Sequence, residues 1–233
     1  MKYKRIVIAR HGGPEALNVV QDELPEPKPG NVRVKVLTAG VAFADIMMRR
    51  GVYPGAPPLP FTPGYDLVGT VDGIGAGVTT FALGQMVAAL TIFGGYTEYI
   101  CLPCEKLVPV PGGVDPAQAV CLVLNYTTAY QLLHRAARIT PGERILVHGA
   151  AGGVGTALLE LGSLGKLEMY GTASRGKHEL VSRFGATPID YKREDFTSRI
   201  PALTGDGVDV VYDPIGGAHV RHSYRVLRKG GRL

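Results

Sequence analysis

The sequence predicts an α/β protein whose β-rich first half precedes a second half of alternating strands and helices. Glycine and proline concentrate before about residue 115, where they separate short segments of β character. Beyond Pro116, longer helical stretches alternate with short, continuous apolar runs, a pattern typical of βαβ units and a parallel sheet. We therefore expect two domains, formed by residues 1–116 and 117–233.

The clearest strand of the first half covers residues 31–41. Valines at every second position from Val32 to Val36 alternate with Arg33 and Lys35, which is the two-residue period of a half-buried strand. Further strands are expected at residues 66–74, 85–90 and 96–102, with glycine-rich turns between them. The first domain is therefore expected to be mainly β.

The second half is expected to begin with a helix over residues 117–138 and to continue as strand–helix units. The expected strands include residues 145–148, 167–172 and 208–212, and the expected helices are 154–164, 177–184 and 218–227. Altogether four strands and the first residues of a fifth can be counted, whereas a doubly wound sheet has six. We therefore expect a C-terminally truncated sheet that lacks most of strand 5 and strand 6.

Composition excludes several classes of protein. The hydrophobic fraction of 45% can fill a core, but no stretch reaches the roughly 20 apolar residues of a membrane span, so a cytoplasmic protein is expected. The net charge of +5 is scattered, without the basic, aromatic-interleaved run that tracks nucleic acid. Cys101, Cys104 and Cys121 are too few for a disulfide framework, and no second pair completes a zinc site.

A glycine-rich turn carries the main functional prediction. The apolar run from Arg144 to His148 is followed by Gly149-Ala-Ala-Gly152-Gly-Val-Gly155, so the glycines lie between a predicted strand and a predicted helix. Glycine lets backbone amides approach a pyrophosphate, which the positive end of the helix then stabilises. In this context the turn predicts a dinucleotide-binding (Rossmann) domain; the alternative is a tight turn with a purely structural role.

The end of the next strand indicates which dinucleotide binds. An NAD site normally offers an acidic residue to the ribose hydroxyls at this point, but here Ser174, Arg175 and Lys177 supply a hydroxyl and two cations. These groups suit the 2′-phosphate of NADPH. Arg175 is equally compatible with a solvated residue at a helix start.

Several segments together resemble the zinc-free quinone oxidoreductases, the ζ-crystallin-like group of the medium-chain dehydrogenase/reductase superfamily. The resemblance covers essentially the whole chain and is strongest to the synaptic-vesicle amine-transport-protein-like branch, through residues 171–179 and 188–191. The motifs that carry it are Ala44-Asp45, Arg50-Gly-Val-Tyr53-Pro54, Pro63-Gly64-Tyr65-Asp66, Thr127-Thr128-Ala129-Tyr130, His148-Gly-Ala-Ala-Gly-Gly-Val-Gly155, Gly171-Thr-Ala-Ser174, Ile189-Asp190-Tyr191 and Asp213-Pro-Ile-Gly-Gly217.

This resemblance implies a GroES-like β domain followed by the Rossmann domain, and chemistry without a metal. Ala42 and Tyr65 stand where zinc-dependent relatives supply a cysteine and a histidine. Ala42 also replaces the asparagine that these reductases commonly carry, which affects how the nicotinamide would be positioned. In such reductases the sixth strand tends to form a homodimer, so a dimer is expected only of a complete protein.

The resemblance also assigns individual residues to NADPH. The assigned contacts are Gly152, Gly153 and Val154 with the pyrophosphate, Ser174, Lys177 and Tyr191 around the 2′-phosphate, and Thr128 near the nicotinamide. The implied reaction is hydride transfer from NADPH to a small quinone or an activated carbon–carbon double bond, such as that of an enone.

Tyr53 and Asp45 are the candidate catalytic residues. The Tyr53 phenol could stabilise or protonate the developing enolate or quinol oxygen, or it could simply pack on a wall of the site. Asp45 could act in catalysis, or it could be a buried carboxylate that holds its loop. Two other functions stay open: an enoyl-thioester reductase, and a non-catalytic protein that binds NADPH or a partner.

Overall fold

The first unit, Met1–Leu124, of the computed structural model, which describes residues 1–233, contains two β-sheets. Strands β1 (Lys2–Ile8) and β2 (Leu17–Glu23) form an antiparallel hairpin. An antiparallel sheet in the order β6-β3-β4-β5-β7 contains β3 (Asn31–Ala39), β4 (Asp66–Ile74), β5 (Met86–Leu90), β6 (Tyr99–Pro103) and β7 (Val108–Pro109). Helix α1 (Phe43–Arg49) follows β3, and α2 (Pro116–Cys121) follows β7.

The core of this sheet comes from the alternation that the sequence displays. Val32 and Val34 of β3 are fully buried and pack with Leu67 of β4 and Val87 of β5. Burying each such side chain contributes about 1.5–3 kcal/mol relative to leaving it exposed. The strand predicted at residues 31–41 is confirmed, apart from its last two residues.

The boundary between the two units falls after Leu124, whereas the change of sequence pattern predicts it after residue 116. Helix α2 belongs to the first unit because Ala119 and Val120 pack against Val68 of β4 and Ala88 of β5. The sequence pattern thus changes from β-rich to helical where α2 begins, but the apolar face of α2 packs on the sheet that precedes it.

The segment predicted as one helix over residues 117–138 is not a continuous α-helix. After α2, π-helical turns at Leu122–Tyr126 and Gln131–Ala136 flank the short helix α3 (Thr127–Tyr130). Such turns are rare and frequently lie at functional sites. Apolar residues keep a helical spacing on both sides of each π turn, so the sequence displays only one helical stretch.

The second unit, Asn125–Leu233, contains a parallel sheet in the order β10-β9-β8-β11-β12. In chain order its elements are β8 (Arg144–Val147), α4 (Gly153–Leu164), β9 (Glu168–Ala173), α5 (His178–Arg183), β10 (Thr187–Asp190), α6 (Phe196–Thr204), β11 (Val208–Tyr212), α7 (His219–Arg225) and β12 (Leu227–Arg232). This is the order 3-2-1-4-5 of a doubly wound Rossmann sheet, as predicted.

The strand β12 corrects the expectation that most of strand 5 is missing. It runs parallel to β11, with Leu227 opposite Val208 and Arg232 opposite Val210. Extra residues of β12 between these pairs form a bulge, which contains Gly230 at a φ of 82°. Because glycine is a poor strand former, the sequence indicates only the first residues of a strand here, whereas pairing with β11 forms a strand over Leu227–Arg232.

Both faces of the parallel sheet are covered by helices. Ile145 of β8 packs with Leu159 of α4 on one face, and Leu146 packs with Ile200 of α6 on the other. The carboxyl ends of the strands are where ligands bind in such sheets, at the point where the strand order reverses between β8 and β11. None of the helices is both long enough and apolar enough to cross a membrane.

Candidate functional site

The glycine-rich turn leaves the first amides of α4 without helix partners. Gly149 has a φ of 65°, and the amide of Gly152 donates to the Gly149 carbonyl at 2.9 Å. The amide of Thr156 makes the first bond of the helix, to the Gly152 carbonyl at 2.8 Å, and no side chain caps the helix start. The amides of Gly153 and Val154 are therefore placed to bind an anion.

Close packing explains why Gly155 of the turn cannot carry a side chain. A Cβ on Gly155 would lie 2.4 Å from the Gly149 carbonyl oxygen and 2.8 Å from Cα of Ala150. A Cβ on Gly153 would lie 2.6 Å from Nδ2 of Asn125. Gly155 therefore allows the helix to pack on the turn, whereas a side chain at Gly153 would require only the Asn125 side chain to move.

Ser174, Lys177 and Tyr191 lie at the carboxyl edge of the sheet. Ala173 of β9 is the register partner of Asp190 of β10, so Ser174 and Tyr191 follow neighbouring strands at the same level. Lys177 ends a short 3-10 turn, and its amide donates to the Ser174 carbonyl at 2.8 Å. The structure thus brings the Ser174 and Tyr191 backbones together, with the exposed Lys177 on the loop beside them.

A cavity of about 740 Å³ opens at this edge. Its walls come from the ends of β8, β9 and β10 and from the loop after β11; they include His148, Thr172, Tyr191, Lys192, Arg193 and His219. Ser174 and Lys177 do not line it. Lys192 and Arg193 were not singled out in the sequence, because no strand is predicted before them; the structure shows that this basic pair follows the end of β10.

The predicted nicotinamide neighbour, Thr128, lies elsewhere on the second unit. It is part of α3 and lines a different cavity, of about 480 Å³, with Gln131 and Arg135. The structure therefore does not place Thr128 in the cavity that contains Tyr191.

A buried polar network connects the loop that follows β8 with the loop that follows β11, the two strands between which the strand order reverses. Ser223 Oγ donates to Asp213 Oδ2 at 2.6 Å and lies 3.2 Å from Nε2 of His148, and Nδ1 of His148 lies 3.1 Å from Oγ1 of Thr172. Nδ1 of His219 lies 2.8 Å from the same Asp213 oxygen. Ligand-type atoms of His148, Asp213 and His219 lie within 4.8 Å of one another, but all three groups are hydrogen-bonded within the network.

Burial and hydrogen bonding set the protonation of this network. Burial, reinforced by the nearby His219, lowers the pKa of His148 to about 4, so the imidazole is neutral at physiological pH. Burial would raise the pKa of Asp213, but hydrogen bonds from His219, Ser223 and two backbone amides outweigh it and hold that pKa far below its ordinary range. Asp213 is therefore a carboxylate that only accepts hydrogen bonds.

In the first unit, Tyr53 is paired with Tyr65. Their hydroxyl oxygens are 3.0 Å apart, and their rings meet edge to face with centroids 6.4 Å apart. The hydrogen bond with Tyr53, followed by burial, raises the pKa of Tyr65 to about 12. Since one phenol donates to the other, the pair retains one further O–H that can donate outward.

Asp45 is 5% exposed, and its carboxylate is fully used to hold its surroundings. It accepts hydrogen bonds from the amides of Ala42 and Gly64, both at 2.9 Å, and from the Tyr96 hydroxyl at 3.0 Å. Burial, followed by the charge of Asp45, raises the pKa of Tyr96. This geometry supports the loop-holding alternative for Asp45 rather than a catalytic one.

Asp66 lies at the start of β4 in the same unit and was not singled out as a candidate in the sequence. Its side chain is 3% exposed and accepts a hydrogen bond from the Gly40 amide at 3.0 Å. Burial raises the pKa of Asp66 to about 6, and the charge of Asp45 adds to the effect. These two carboxylates thus bind the backbone at Gly40 and Ala42, and Asp45 also binds the backbone at Gly64, next to Tyr65.

Comparison with known proteins identifies relatives of both units. Residues 28–112 match the alcohol dehydrogenase GroES-like domain, and residues 153–233 match the zinc-binding dehydrogenase family. The synaptic vesicle membrane protein VAT-1 homolog of Rattus norvegicus is 38% identical over 211 residues, covering 90% of this chain and 52% of that protein. The chain thus spans about half the length of the VAT-1 homologs that it matches.

Quinone oxidoreductases match over a larger share of their length. The Rattus norvegicus quinone oxidoreductase is 34% identical over 235 residues, covering 99% of this chain and 71% of that protein. The structure of Escherichia coli quinone oxidoreductase complexed with NADPH superposes with a TM-score of 0.92 at 31% identity, over 97% and 70% of the two chains. CurK enoyl reductase gives a TM-score of 0.91 at 28% identity, over 99% and 72%. The chain therefore belongs to the medium-chain dehydrogenase/reductase superfamily and is related to its quinone oxidoreductases and VAT-1 homologs.

Proposed function

We propose that this chain is an NADPH-dependent reductase that transfers hydride to a small quinone or an activated carbon–carbon double bond without a metal. The observation that carries the proposal is the uncapped start of α4 beside a β9 end that offers Ser174 and Lys177 but no acidic residue. The similarity to an NADPH-complexed quinone oxidoreductase supports the same cofactor.

The residues present fit a phosphorylated dinucleotide. The turn exposes the amides of Gly153 and Val154, while Gly155 provides the close approach of helix and turn. The nearby acidic groups are already engaged: Glu194 accepts from the Asp190 amide at 2.9 Å, and Asp195 caps α6. Lys177, Lys192 and Arg193 form no ion pair, so their charge is available to a 2′-phosphate.

The protein's own part in the reaction would be to bind, orient and supply a proton. NADPH supplies the hydride when bound. In this proposal the outward O–H of the Tyr53–Tyr65 pair donates to the oxygen that becomes negative as a quinone or enone is reduced. Hydrogen bonding with Tyr53 and burial raise the pKa of Tyr65 to about 12, so this phenol donates a hydrogen bond without giving up its proton at physiological pH.

The cofactor preference tests the proposal directly. Fluorescence titration of the chain is expected to give a lower Kd for NADPH than for NADH. Lys177→Ala should raise the Kd for NADPH about tenfold to a hundredfold, since a charge-assisted hydrogen bond contributes about 1.5–3 kcal/mol. The Kd for NADH should stay unchanged, and the matched variant Lys106→Ala, an exposed lysine of the first unit, should change neither value. Equal affinity of the unmodified chain for the two cofactors would contradict the NADPH assignment.

The tyrosine pair tests the chemical step. Tyr53→Phe is expected to lower kcat/KM by about a hundredfold, the size of a typical general acid–base contribution, and to leave the Kd for NADPH unchanged. Tyr65→Phe should have a smaller effect because the Tyr53 hydroxyl is retained. Tyr224→Phe, on an exposed tyrosine of α7, serves as the control. Unchanged turnover in Tyr53→Phe would eliminate Tyr53 as the proton donor.

An enoyl-thioester reductase is the second candidate, favoured by the similarity to CurK enoyl reductase. Assays of NADPH oxidation with quinones, enones and 2-enoyl thioesters distinguish the two activities. Turnover of quinones or enones indicates the first, and turnover of 2-enoyl thioesters indicates the second. Tight NADPH binding without oxidation in any assay would instead indicate a non-catalytic NADPH-binding protein, as the alanine at position 42 suggests.

A further inference from the structure

Counting hydrogen-bond donors and acceptors determines which atoms of the polar network in the second unit carry protons. Asp213 is a carboxylate, so the single hydroxyl proton of Ser223 is donated to it at 2.6 Å. Ser223 Oγ must then accept from His148, which therefore carries its proton on Nε2. The neutral imidazole leaves Nδ1 as an acceptor, and the Thr172 hydroxyl is the group that donates to it.

At one end, this series of hydrogen bonds holds the glycine-rich turn. Oγ1 of Thr172 accepts from the Gly149 amide at 3.3 Å, and the Thr172 carbonyl accepts from the Ala150 amide at 3.0 Å. Two consecutive amides of the turn are thus bound to one residue of β9. The start of α4 is coupled to this turn, because the Gly152 amide donates to the Gly149 carbonyl at 2.9 Å. A change in the shape of the turn would therefore displace the amides of Gly153 and Val154.

At the other end, the same series of hydrogen bonds holds the loop that follows β11. Oδ1 of Asp213 accepts from the amides of Ile215 and Gly216, at 2.8 and 3.1 Å. The other carboxylate oxygen accepts from Ser223 and His219. The loops that follow β8 and β11, the neighbouring strands at which the strand order reverses, are therefore connected through side chains.

We propose that the hydrogen-bonded series Gly149–Thr172–His148–Ser223–Asp213, here called the relay, positions the phosphate-binding turn, and that Ser223 controls nucleotide affinity without touching the nucleotide. This inference rests on the proposed NADPH binding and adds a group of positioning residues to it. Ser223 is fully buried in α7 and does not line the cavity beside the turn, whereas His148 and Thr172 do. Ser223 therefore reaches the cavity only through its hydrogen-bond partners: His148 connects it to the turn through Thr172, and His219, 3.4 Å from Ser223 Oγ, lines the cavity without contacting the turn.

Nucleotide titration of relay variants tests the inference. Ser223→Ala removes the link between His148 and Asp213 and is expected to raise the Kd for NADPH about fivefold to tenfold, part of the penalty for leaving buried polar groups unpaired. Thr172→Val, which keeps the side-chain shape but loses the hydroxyl, should have a similar effect, and Thr172→Ser should restore affinity. Ser163→Ala, on an exposed serine near the end of α4, is the control and should bind like the unmodified chain.

A spectroscopic readout keeps the inference testable even if a variant fails to fold. Nitrogen-15 NMR of the imidazoles in the unmodified chain should find His148 neutral with its proton on Nε2 at neutral pH. A proton on Nδ1 would overturn the relay, because the direction of its hydrogen bonds would then be impossible. Normal NADPH affinity in a folded Ser223→Ala variant would also overturn it. Failure of the unmodified chain to bind NADPH would refute the proposed function instead, and the NMR result would still decide the relay.

Discussion

Gly155→Ala is expected to abolish measurable NADPH binding and to lower the free energy of unfolding by about 2–3 kcal/mol, as overpacking of a closely packed site does. The new Cβ would lie 2.4 Å from the Gly149 carbonyl oxygen and 2.8 Å from Cα of Ala150. Both atoms are backbone, so relief of the clash requires the turn and α4 to move apart. That movement displaces the amides that the proposal assigns to the pyrophosphate.

Thermal unfolding and NADPH titration of the same samples measure both effects. For a chain of this length, the melting temperature should fall by roughly 4–12 °C. The matched control is Gly112→Ala, since an added Cβ at Gly112 meets no atom within 4 Å and its φ lies outside the left-handed region. A Gly155→Ala protein that binds NADPH with normal affinity would show that the close packing of helix and turn is unnecessary for binding.

Asp45→Ala is expected to lower the free energy of unfolding by about 3–5 kcal/mol, because it leaves buried donors without an acceptor at about 1–3 kcal/mol each. The affected donors are the amides of Ala42 and Gly64 and the hydroxyl of Tyr96. Chemical denaturation followed by circular dichroism measures the loss. Glu179→Ala, on an exposed acid of α5, should change stability by less than about 0.5 kcal/mol.

The amide variant Asp45→Asn separates the structural from the catalytic role of Asp45. One amide oxygen remains as an acceptor, so part of the stability should be retained while the charge is lost. A structural role predicts that reductase activity per folded molecule stays close to normal. A folded Asp45→Asn protein with strongly reduced kcat would instead restore Asp45 as a catalytic candidate.

Local patterns in the sequence were sufficient to predict the glycine-rich turn. Its glycines, the preceding strand and the following helix are adjacent in the chain, and the structure places Gly149 and Gly155 in direct apposition. The alternation of valines in β3 is local in the same way. Such features depend on residues a few positions apart, which is the range over which periodicity and turn chemistry are informative.

Long-range pairings explain what the sequence did not predict. The Tyr53–Tyr65 hydrogen bond joins residues 12 positions apart, and the bond between Ser223 and His148 joins residues 75 apart. Neither contact leaves a periodic pattern. Only the first residues of the bulged strand β12 are predicted, for the same reason: its full extent comes from long-range pairing with β11, which overrides the low strand propensity of Gly230.

The π turns at Leu122–Tyr126 and Gln131–Ala136 affect how positions in this helical segment can be transferred between homologous proteins. Because a π turn contains about one more residue than an α-helical turn, the residues after it lag by about 100° behind the positions they would have in a regular α-helix. Thr128 lies between the two turns, so a helical wheel begun at Pro116 assigns its side chain to the wrong side. A sequence alignment pairs Thr128 with one residue of a homologous protein. The two side chains point the same way only when that protein also has a π turn before the aligned position.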